Sequence, residues 1–262
     1  MATKDEIGRR EQWILDQLLR TGTLTVDEIC SRFKISVATA RRDLEGLERR
    51  GRLRRTHGGA IPIEPLLYEA FSHVSTYREQ VEKFADEKRR IAMAAAELIN
   101  EGDTIALTPG TTATQIMRAL HTPKSITVVT NTVNLAMELS NRSGVSVFVT
   151  GGFLHSGWFS LIGQTAADAV RRIFADKVFI GANGFDAEHG VTAYHPDEAA
   201  FNSVMVQQAR ERIVVADRSK LGVTATHLFC PIKDVHRLIT DSGATDEVVE
   251  GFIQKGIDVR RV

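Results

Sequence analysis

The sequence predicts an α/β protein with two domains, of which the larger contains an open, Rossmann-like parallel sheet. Three observations lead to this prediction. The chain has 262 residues, which suits a small and a medium-sized domain better than a single one. Residues 1–60 show helical patterns and many arginines, whereas the sequence from residue 87 onward alternates helical patterns with short β-branched runs. Pro62 and Pro65 stand between the two parts, where they prevent one helix from joining them.

We therefore expect an N-terminal domain over residues 1–60, a linker over 61–86 and a C-terminal domain over 87–262. Seven short runs, most of them apolar, are the expected strands of the C-terminal domain, and the pattern is typical of a parallel sheet covered by helices on both faces. Ligands of such sheets bind at the carboxyl ends of the strands. The order of the strands in the sheet does not follow from the sequence. The expected strands are 104–107, 126–130, 146–150, 177–182, 212–216, 237–240 and 257–260.

The N-terminal part has the pattern of a helix-turn-helix. A first amphipathic helix covers residues 7–20. Thr25 and Glu28 have the spacing of a capping box, which predicts the start of a second helix. Ser36 is the expected N-cap of a third helix. The residues of this helix that we expect to point inward, at helical spacing, are Val37, Ala40, Leu44 and Leu47.

Positive charge is concentrated in the same region. The whole chain has 33 basic and 33 acidic residues, but residues 32–57 contain nine basic residues against three acidic ones. An outward pair of arginines near the start of the third helix suits a major groove, and residues 52–61 alternate as the β-ribbon of a wing would. The alternative is a small helical bundle with a solvated arginine face. The expected DNA contacts are Ser36, Ala38, Thr39, Arg41, Arg42, Arg54, Arg55 and His57.

Loops that follow the predicted strands indicate a ligand crevice. The segment 108–112 (TPGTT) lies between a strand and a helix, where glycine, hydroxyls and free N–H groups can hold a phosphate, although helix capping alone also explains it. We expect Lys220 to contact the phosphate, and Asp186 and Glu198 to bind hydroxyls or an amine of the ligand. The full set of expected effector contacts is Gly110, Thr111, Thr112, Asn131, Gly151, Gly152, Asp186, Glu198 and Lys220.

Two parts of the sequence resemble a known family. Residues 31–60 (SRFKISVATARRDLEGLERRGRLRRTHGGA) resemble the N-terminal signature of the DeoR family of bacterial sugar-operon regulators. The segments DTIALTPGTT, ITVVTNT, VFVTGGFL and IVVADRSK are similar to the C-terminal sensor of that family, which is related in fold to ribose-5-phosphate and amino-sugar-phosphate isomerases. Thr108 stands where the family commonly has aspartate, and Ala40 where many members have isoleucine.

The resemblance implies a regulator that binds double-stranded operator DNA as a homo-oligomer, a dimer or a tetramer. It implies that the protein represses a carbohydrate-catabolism operon and that a phosphorylated sugar or amino sugar relieves the repression. Residues 195–220 are most similar to members that control the use of N-acetylgalactosamine.

Two other functional classes compete with this interpretation. A sugar-phosphate isomerase or deaminase with a DNA-binding arm would need a carboxylate base, for which Asp186, Glu198 and Asp217 are available. The missing acid at Thr108 and the lack of a clear histidine partner argue against catalysis, so no catalytic residue is predicted. An architectural DNA-binding protein without a ligand would leave the strand-end loops unexplained.

Composition and spacing restrict the remaining classes. Cys30 and Cys230 have no metal or redox spacing, so we expect no metal and no cofactor. The sequence has neither the pattern of a signal peptide nor an apolar stretch of the ~20 residues that a membrane span needs. We therefore expect a cytoplasmic protein without a membrane partner.

Overall fold

The computed structural model describes residues 4–50, 52–62, 80–120, 125–140, 142–155 and 158–262. The chain divides into two compact units, Met1–His73 and Val74–Val262. Most of the expected linker, residues 63–79, lies outside the described residues. No helix in the described ranges is long and apolar enough to cross a membrane.

The smaller unit contains the predicted helix-turn-helix and wing. Its three strands form an antiparallel sheet in the order β1-β3-β2. The expected capping box is present at the start of α2, because the Glu28 N–H donates to Thr25 Oγ1 (3.2 Å) and the Thr25 N–H donates to the Glu28 carboxylate (2.7 Å). The elements are α1 (Lys4–Thr21), β1 (Leu24–Thr25), α2 (Val26–Phe33), α3 (Val37–Arg49), β2 (Leu53–Thr56) and β3 (Gly59–Pro62).

Helix α3 begins at the expected N-cap, since Ser36 Oγ accepts a hydrogen bond from the Thr39 N–H (3.2 Å). Three of the four residues expected to point inward are buried: Ala40, Leu44 and Leu47. The prediction for Val37 was wrong, because this side chain is 44% exposed. Val37 is the first residue of the helix, and only the later turns of the helix pack against the small core.

A buried ion pair fixes α3 to α1. The Arg10 guanidinium donates two hydrogen bonds to the Asp43 carboxylate, from Nε to Oδ2 (2.5 Å) and from an Nη to Oδ1 (3.0 Å). Both residues are buried, and the hydrogen bond to Asp43 is the main cause that raises the pKa of Arg10. The pair holds the inner face of α3, so that the opposite face remains at the surface.

The larger unit is built on a seven-stranded sheet in which all neighbouring strands are parallel, which confirms the predicted fold class. All seven expected strands are present. They are β4 (Thr104–Leu107), β5 (Ile126–Thr130), β6 (Val145–Val149), β9 (Ala175–Ile180), β12 (Ala209–Val215), β14 (Arg237–Thr240) and β15 (Asp258–Arg261).

Helices cover both faces of this sheet. Side chains alternate along each strand, so that Ile105 and Leu107 belong to one apolar cluster and Ala106 to the other. The helices are α4 (Ala85–Ala96), α5 (Thr111–Ala119), α6 (Val133–Leu139), α7 (Gln164–Val170), α8 (Pro196–Gln207) and α9 (Asp246–Ile253).

The strand order reverses at one point in the sheet. The order is β15-β14-β12-β9-β4-β5-β6, so the chain leaves β4 toward one edge and returns through β9 toward the other. The loops after β4 and β9 therefore turn away from each other and leave a crevice between them, as is usual at the switch point of such sheets.

Five shorter strands, which the sequence patterns did not reveal, lie outside the main sheet. They form a three-stranded antiparallel sheet and a separate hairpin, β7–β8. The strands of these two structures are β7 (Phe153–His155), β8 (Ser160–Ile162), β10 (Gly184–Asp186), β11 (Gly190–Ala193) and β13 (His227–Pro231).

Replacing Arg10 by methionine should destabilise the smaller unit by about 3–5 kcal/mol, because the Asp43 carboxylate would stay buried without a partner. Urea unfolding followed by Trp13 fluorescence, in a Trp158→Phe background, measures this change. The matched control is Arg9→Met, an exposed neighbour that should change the unfolding free energy by less than about 0.5 kcal/mol. Equal effects of the two substitutions would contradict the role given to the ion pair.

Candidate functional site

The outer face of α3 presents two arginines to solvent. Arg41 and Arg42 are exposed, and neither has a hydrogen-bond or ion-pair partner within the described ranges. Ala38 beside them is also exposed, whereas Thr39 is half-buried. The hydroxyl of Ser36 lies 2.9 Å from that of Thr39, so both belong to the cap of the helix. This face can offer two guanidinium forks and small side chains to a groove.

The wing is attached to α3 by one of the arginines expected to contact DNA. Arg55 Nε donates to Glu48 Oε2 (2.7 Å) and its Nη1 donates to Glu45 Oε1 (3.0 Å). The Arg55 N–H and its guanidinium also lower the pKa of Glu48. Arg55 thus binds glutamates of α3 and orients the wing. Arg54 and His57 are exposed on the surface of the wing.

A cleft of about 610 Å³, its solvent-open mouth included, occupies the switch point of the main sheet. It brings together five of the expected effector contacts, which come from the loops after β4 and β12 and from α8. It adds several residues that were not among the expected effector contacts. The expected residues are Gly110, Thr111, Thr112, Glu198 and Lys220, and the added ones include Gln80, Lys88, Trp158, Asn183 and Asp217.

Thr108 connects the two loops that border the cleft. Its Oγ1 accepts a hydrogen bond from the Gly181 N–H (2.9 Å), which ties the end of β4 to the end of β9. Gly110 adopts φ 151°, a backbone conformation that suits glycine, and it begins α5 without a side-chain cap. The first N–H groups of α5 are consequently available to an anion in the cleft.

Two lysines supply positive charge to the cleft. Lys88 of α4 is only 4% exposed, its ammonium donates to the carbonyl of Gln80, and burial lowers its pKa to about 8. The ammonium group of Lys220 has no hydrogen-bond or ion-pair partner in the part of the chain that the structure describes. No sequence pattern marked Lys88, because a lysine in the charged run 87–90 resembles the solvated face of a helix.

The turn that carries Lys220 is held in place by its neighbours. Asp217 is buried, and its Oδ1 accepts hydrogen bonds from the N–H (3.1 Å) and the hydroxyl (2.5 Å) of Ser219. Arg218 donates to the buried carboxylate of Asp241 through its backbone N–H (2.7 Å) and its Nη1 (2.5 Å). These contacts fix the backbone and leave the Lys220 side chain directed to the cleft.

Glu198, in the first turn of α8, contributes to the cleft a carboxyl group with a raised pKa. Burial raises its pKa to about 7, and no charged group of the described ranges offsets that effect. Its carboxyl also has no hydrogen-bond partner there. Within the described ranges, neither Lys88 nor Lys220 forms an ion pair with this carboxyl.

Four expected effector contacts do not line this cleft. Asn131 is buried and its Nδ2 donates to the Leu161 carbonyl (2.9 Å), so it anchors β8. Gly151 and Gly152 have positive φ angles and form the turn from β6 into β7. Asp186 Oδ1 accepts from the N–H groups of Glu188 (2.9 Å) and His189 (3.1 Å), which closes the turn between β10 and β11. Gly151, Gly152 and Asp186 thus belong to local turns, whereas Asn131 is held by a residue 30 positions away in the chain.

Comparison with protein families matches each of the two units to a DeoR family model. The model described as the DeoR-like helix-turn-helix domain matches residues 10–65, and the model described as the DeoR C terminal sensor domain matches residues 83–242. The HTH-type transcriptional repressor GlcR of Bacillus subtilis is 34% identical over 87% of this chain and 86% of that protein. The putative aga operon transcriptional repressor of Escherichia coli O157:H7 is 31% identical over 96% of this chain and 92% of that protein.

Solved structures give a weaker likeness. Ribose 5-phosphate isomerase A of Methanocaldococcus jannaschii aligns with a TM-score of 0.40 and 17% identity, over 53% of this chain and 55% of that chain. A likeness of this size carries no argument about function.

Replacing Glu198 by glutamine should remove a loss of stability that develops as the pH rises. The pKa of Glu198 is raised from its ordinary 4.5 to about 7, so its contribution to folding is fully present below about pH 4.5 and is lost as the pH rises from there through about 7. Between pH 5 and pH 8 the variant should lose about 1–3 kcal/mol less stability than the parent. Urea unfolding at both pH values, followed by Trp158 fluorescence in a Trp13→Phe background, measures the difference.

Asp197→Asn provides the control, because Asp197 is exposed in the same turn of α8. It should leave the pH dependence of the parent unchanged. A Glu198→Gln variant whose stability follows the same pH curve as the parent would show that this carboxyl is not desolvated.

Proposed function

This chain belongs to the DeoR family of DNA-binding transcriptional regulators, and we propose that it represses a carbohydrate-catabolism operon until a phosphorylated sugar binds its cleft. One observation carries the proposal for the ligand: an open helix N-terminus and two ammonium groups share a cleft with a separate, partnerless carboxyl. The names of two relatives, the transcriptional repressor GlcR and the putative aga operon repressor, agree with this function.

The positive part of the cleft suits a phosphate group. A dianionic phosphate would accept hydrogen bonds from the N–H groups of Thr111 and Thr112, and would neutralise Lys220 and Lys88. The Lys88 ammonium is unfavourably buried, as its lowered pKa indicates. Binding an anion beside it would remove part of that cost, which favours a phosphorylated ligand over a neutral sugar.

Other groups that line the cleft suit the polyol portion of the ligand. The Glu198 carboxyl and the Asn183 side chain are polar groups that can bind hydroxyls or an amine, and Trp158 offers an aromatic surface beside them. We therefore propose a sugar phosphate or an amino-sugar phosphate as the effector.

DNA binding is assigned to the smaller unit. We propose that Arg41 and Arg42 contact bases or phosphates in the major groove, with Arg54 and His57 of the wing on the flanking backbone. A homo-oligomer, dimer or tetramer, would place two such helices on a symmetric operator. Effector binding would then favour a conformation in which the half-site spacing no longer fits, a shift between two populations.

We propose that the cleft senses its ligand and does not convert it. Isomerisation of a sugar phosphate needs a carboxylate base together with an acid near the carbonyl. Of the three carboxylates considered for this role, Asp217 is engaged in capping the turn at Ser219 and Asp186 closes a turn elsewhere. Glu198 would therefore have to act as the base with neither Asp217 nor Asp186 as its acid partner.

The double substitution Arg41→Ala and Arg42→Ala should weaken operator binding by about 100-fold or more, because two direct contacts with DNA would be lost. The operator is obtained by selecting tight binders of the parent protein from a random DNA pool, and binding is measured by fluorescence anisotropy at fixed salt. The matched control removes the exposed pair Arg171 and Arg172 from the larger unit. If the first variant binds the operator as tightly as the control does, α3 is not the reading helix.

Lys220→Ala should abolish most of the thermal stabilisation that a phosphorylated sugar gives to the parent protein, because a direct charge on the phosphate would be lost. A panel of sugar and amino-sugar phosphates is screened by thermal shift, with product formation followed in the same samples. Lys233→Ala, at an exposed position outside the cleft, is the control. An unchanged shift in the Lys220 variant would exclude this lysine from the site, and turnover of any panel member would contradict a purely sensing role.

A further inference from the structure

The two edges of the main sheet are built differently. The β15 edge carries Asp258, Arg260 and Arg261 within four residues. Ion pairs hold these side chains across the edge, for example Arg237 to Asp258 (2.8 Å) and Arg260 to Glu97 (2.8 Å). Charged side chains on an edge strand are a common protection against pairing with another chain. This edge is therefore suited to remain in solvent.

The β6 edge has no such protection. Its sequence, Val-Ser-Val-Phe-Val, contains no charged residue, and within the described ranges β6 pairs only with β5. Phe148 is 38% exposed and Val149 is 40% exposed. Since consecutive residues of a strand point to opposite faces, both faces of the strand are uncovered at this end.

The uncovered surface continues beyond β6. In the hairpin that follows, Phe153 is 80% exposed and Leu154 is 57% exposed, and Met137 of the neighbouring helix α6 is 52% exposed. From Val145 to His155 the chain has no aspartate, glutamate, lysine or arginine. We use the name β6 edge surface for the unpaired backbone edge of β6 together with the exposed side chains of Met137, Phe148, Val149, Phe153 and Leu154.

We infer that the β6 edge surface is covered by the same surface of a second copy of this chain. The free N–H and C=O groups of an edge strand are complementary to those of an identical strand placed antiparallel, so two copies related by a two-fold axis satisfy each other. The absence of charge favours an apolar partner surface and disfavours nucleic acid or a charged peptide. The contrast with the charged β15 edge indicates that this edge is selected for contact.

The surface is also connected with the ligand cleft. Trp158, between β7 and β8, lines the cleft, while Phe153 and Leu154 of the same hairpin belong to the β6 edge surface. Asn131, at the end of β5, donates to the Leu161 carbonyl and so fixes this hairpin to the main sheet. A copy seated on the surface would thus contact an element that borders the ligand.

The first test is the mass of the full-length protein in solution. Sedimentation at micromolar concentration should give a dimer or larger assembly for the parent, and half that mass or less for Phe153→Lys with Leu154→Lys. Both side chains are so exposed that the substitutions leave the core intact, and Phe148→Lys should act in the same way. Phe174→Lys, at an apolar residue that is 78% exposed elsewhere, should keep the parental mass.

A monomeric parent would overturn the inference, because some other part of the same chain would then cover the surface. An unchanged mass in both edge variants would overturn it as well. A melting curve for each variant, recorded by circular dichroism, distinguishes dissociation from unfolding.

The second test places one reactive thiol on each edge. In a Cys30→Ser background, where Cys230 is buried, Ser146→Cys on β6 should give a covalent dimer with a short bismaleimide, and Asp258→Cys on β15 should not. The opposite result, or no dimer from the β6 thiol, contradicts the inference. In an oligomeric parent, failure of the edge variants or of the cross-link would leave the proposed function in place, whereas a monomeric parent would also contradict the homo-oligomer proposed above. Neither test involves a ligand or DNA, so failure of the ligand screen would leave this interface in place.

Discussion

The reversal of strand order between β4 and β9 is the constraint on which the larger unit depends. Two loops must part at that point, and the hydrogen bond from the Gly181 N–H to Thr108 holds their bases together while their tips separate. The same reversal directs the N-terminus of α5 and the turn of Lys220 toward one space. The cleft is thus a consequence of topology, and the side chains decide what it can bind.

The two lysines of the cleft form no ion pair with Glu198 in the part of the chain that the structure describes. Lys88 is buried so that its pKa falls to about 8, and Glu198 so that its pKa rises to about 7, yet the two groups do not neutralise each other. Each of them carries a desolvation cost, which a ligand group of opposite charge beside it would reduce. A site of this kind is stabilised by its ligand, which is what a sensor requires.

The smaller unit meets a different structural requirement. A DNA-recognition helix must be held rigidly while its outer face stays exposed. The Arg10–Asp43 pair fixes α3 from inside, and the Arg55 contacts with Glu45 and Glu48 fix the wing against its side. Arg41 and Arg42 remain without partners in the described ranges. Of the arginines in this region, Arg10 and Arg55 are occupied by structural contacts, whereas Arg41 and Arg42 stay available for the DNA contacts that we propose.

The sequence by itself determined the local elements, because capping, periodicity and apolar runs act over a few residues: Thr25 with Glu28, Ser36 before α3, and the seven strands could all be read from it. It also indicated Gly110 to Thr112, Glu198 and Lys220, which follow strand ends or begin helices. Only the tertiary structure decided that Lys88 enters the cleft, that Asn131 and Asp186 do not, and that Arg55 is engaged by glutamates. Those outcomes depend on strand order and on which side chains the fold brings together, which no short-range pattern encodes.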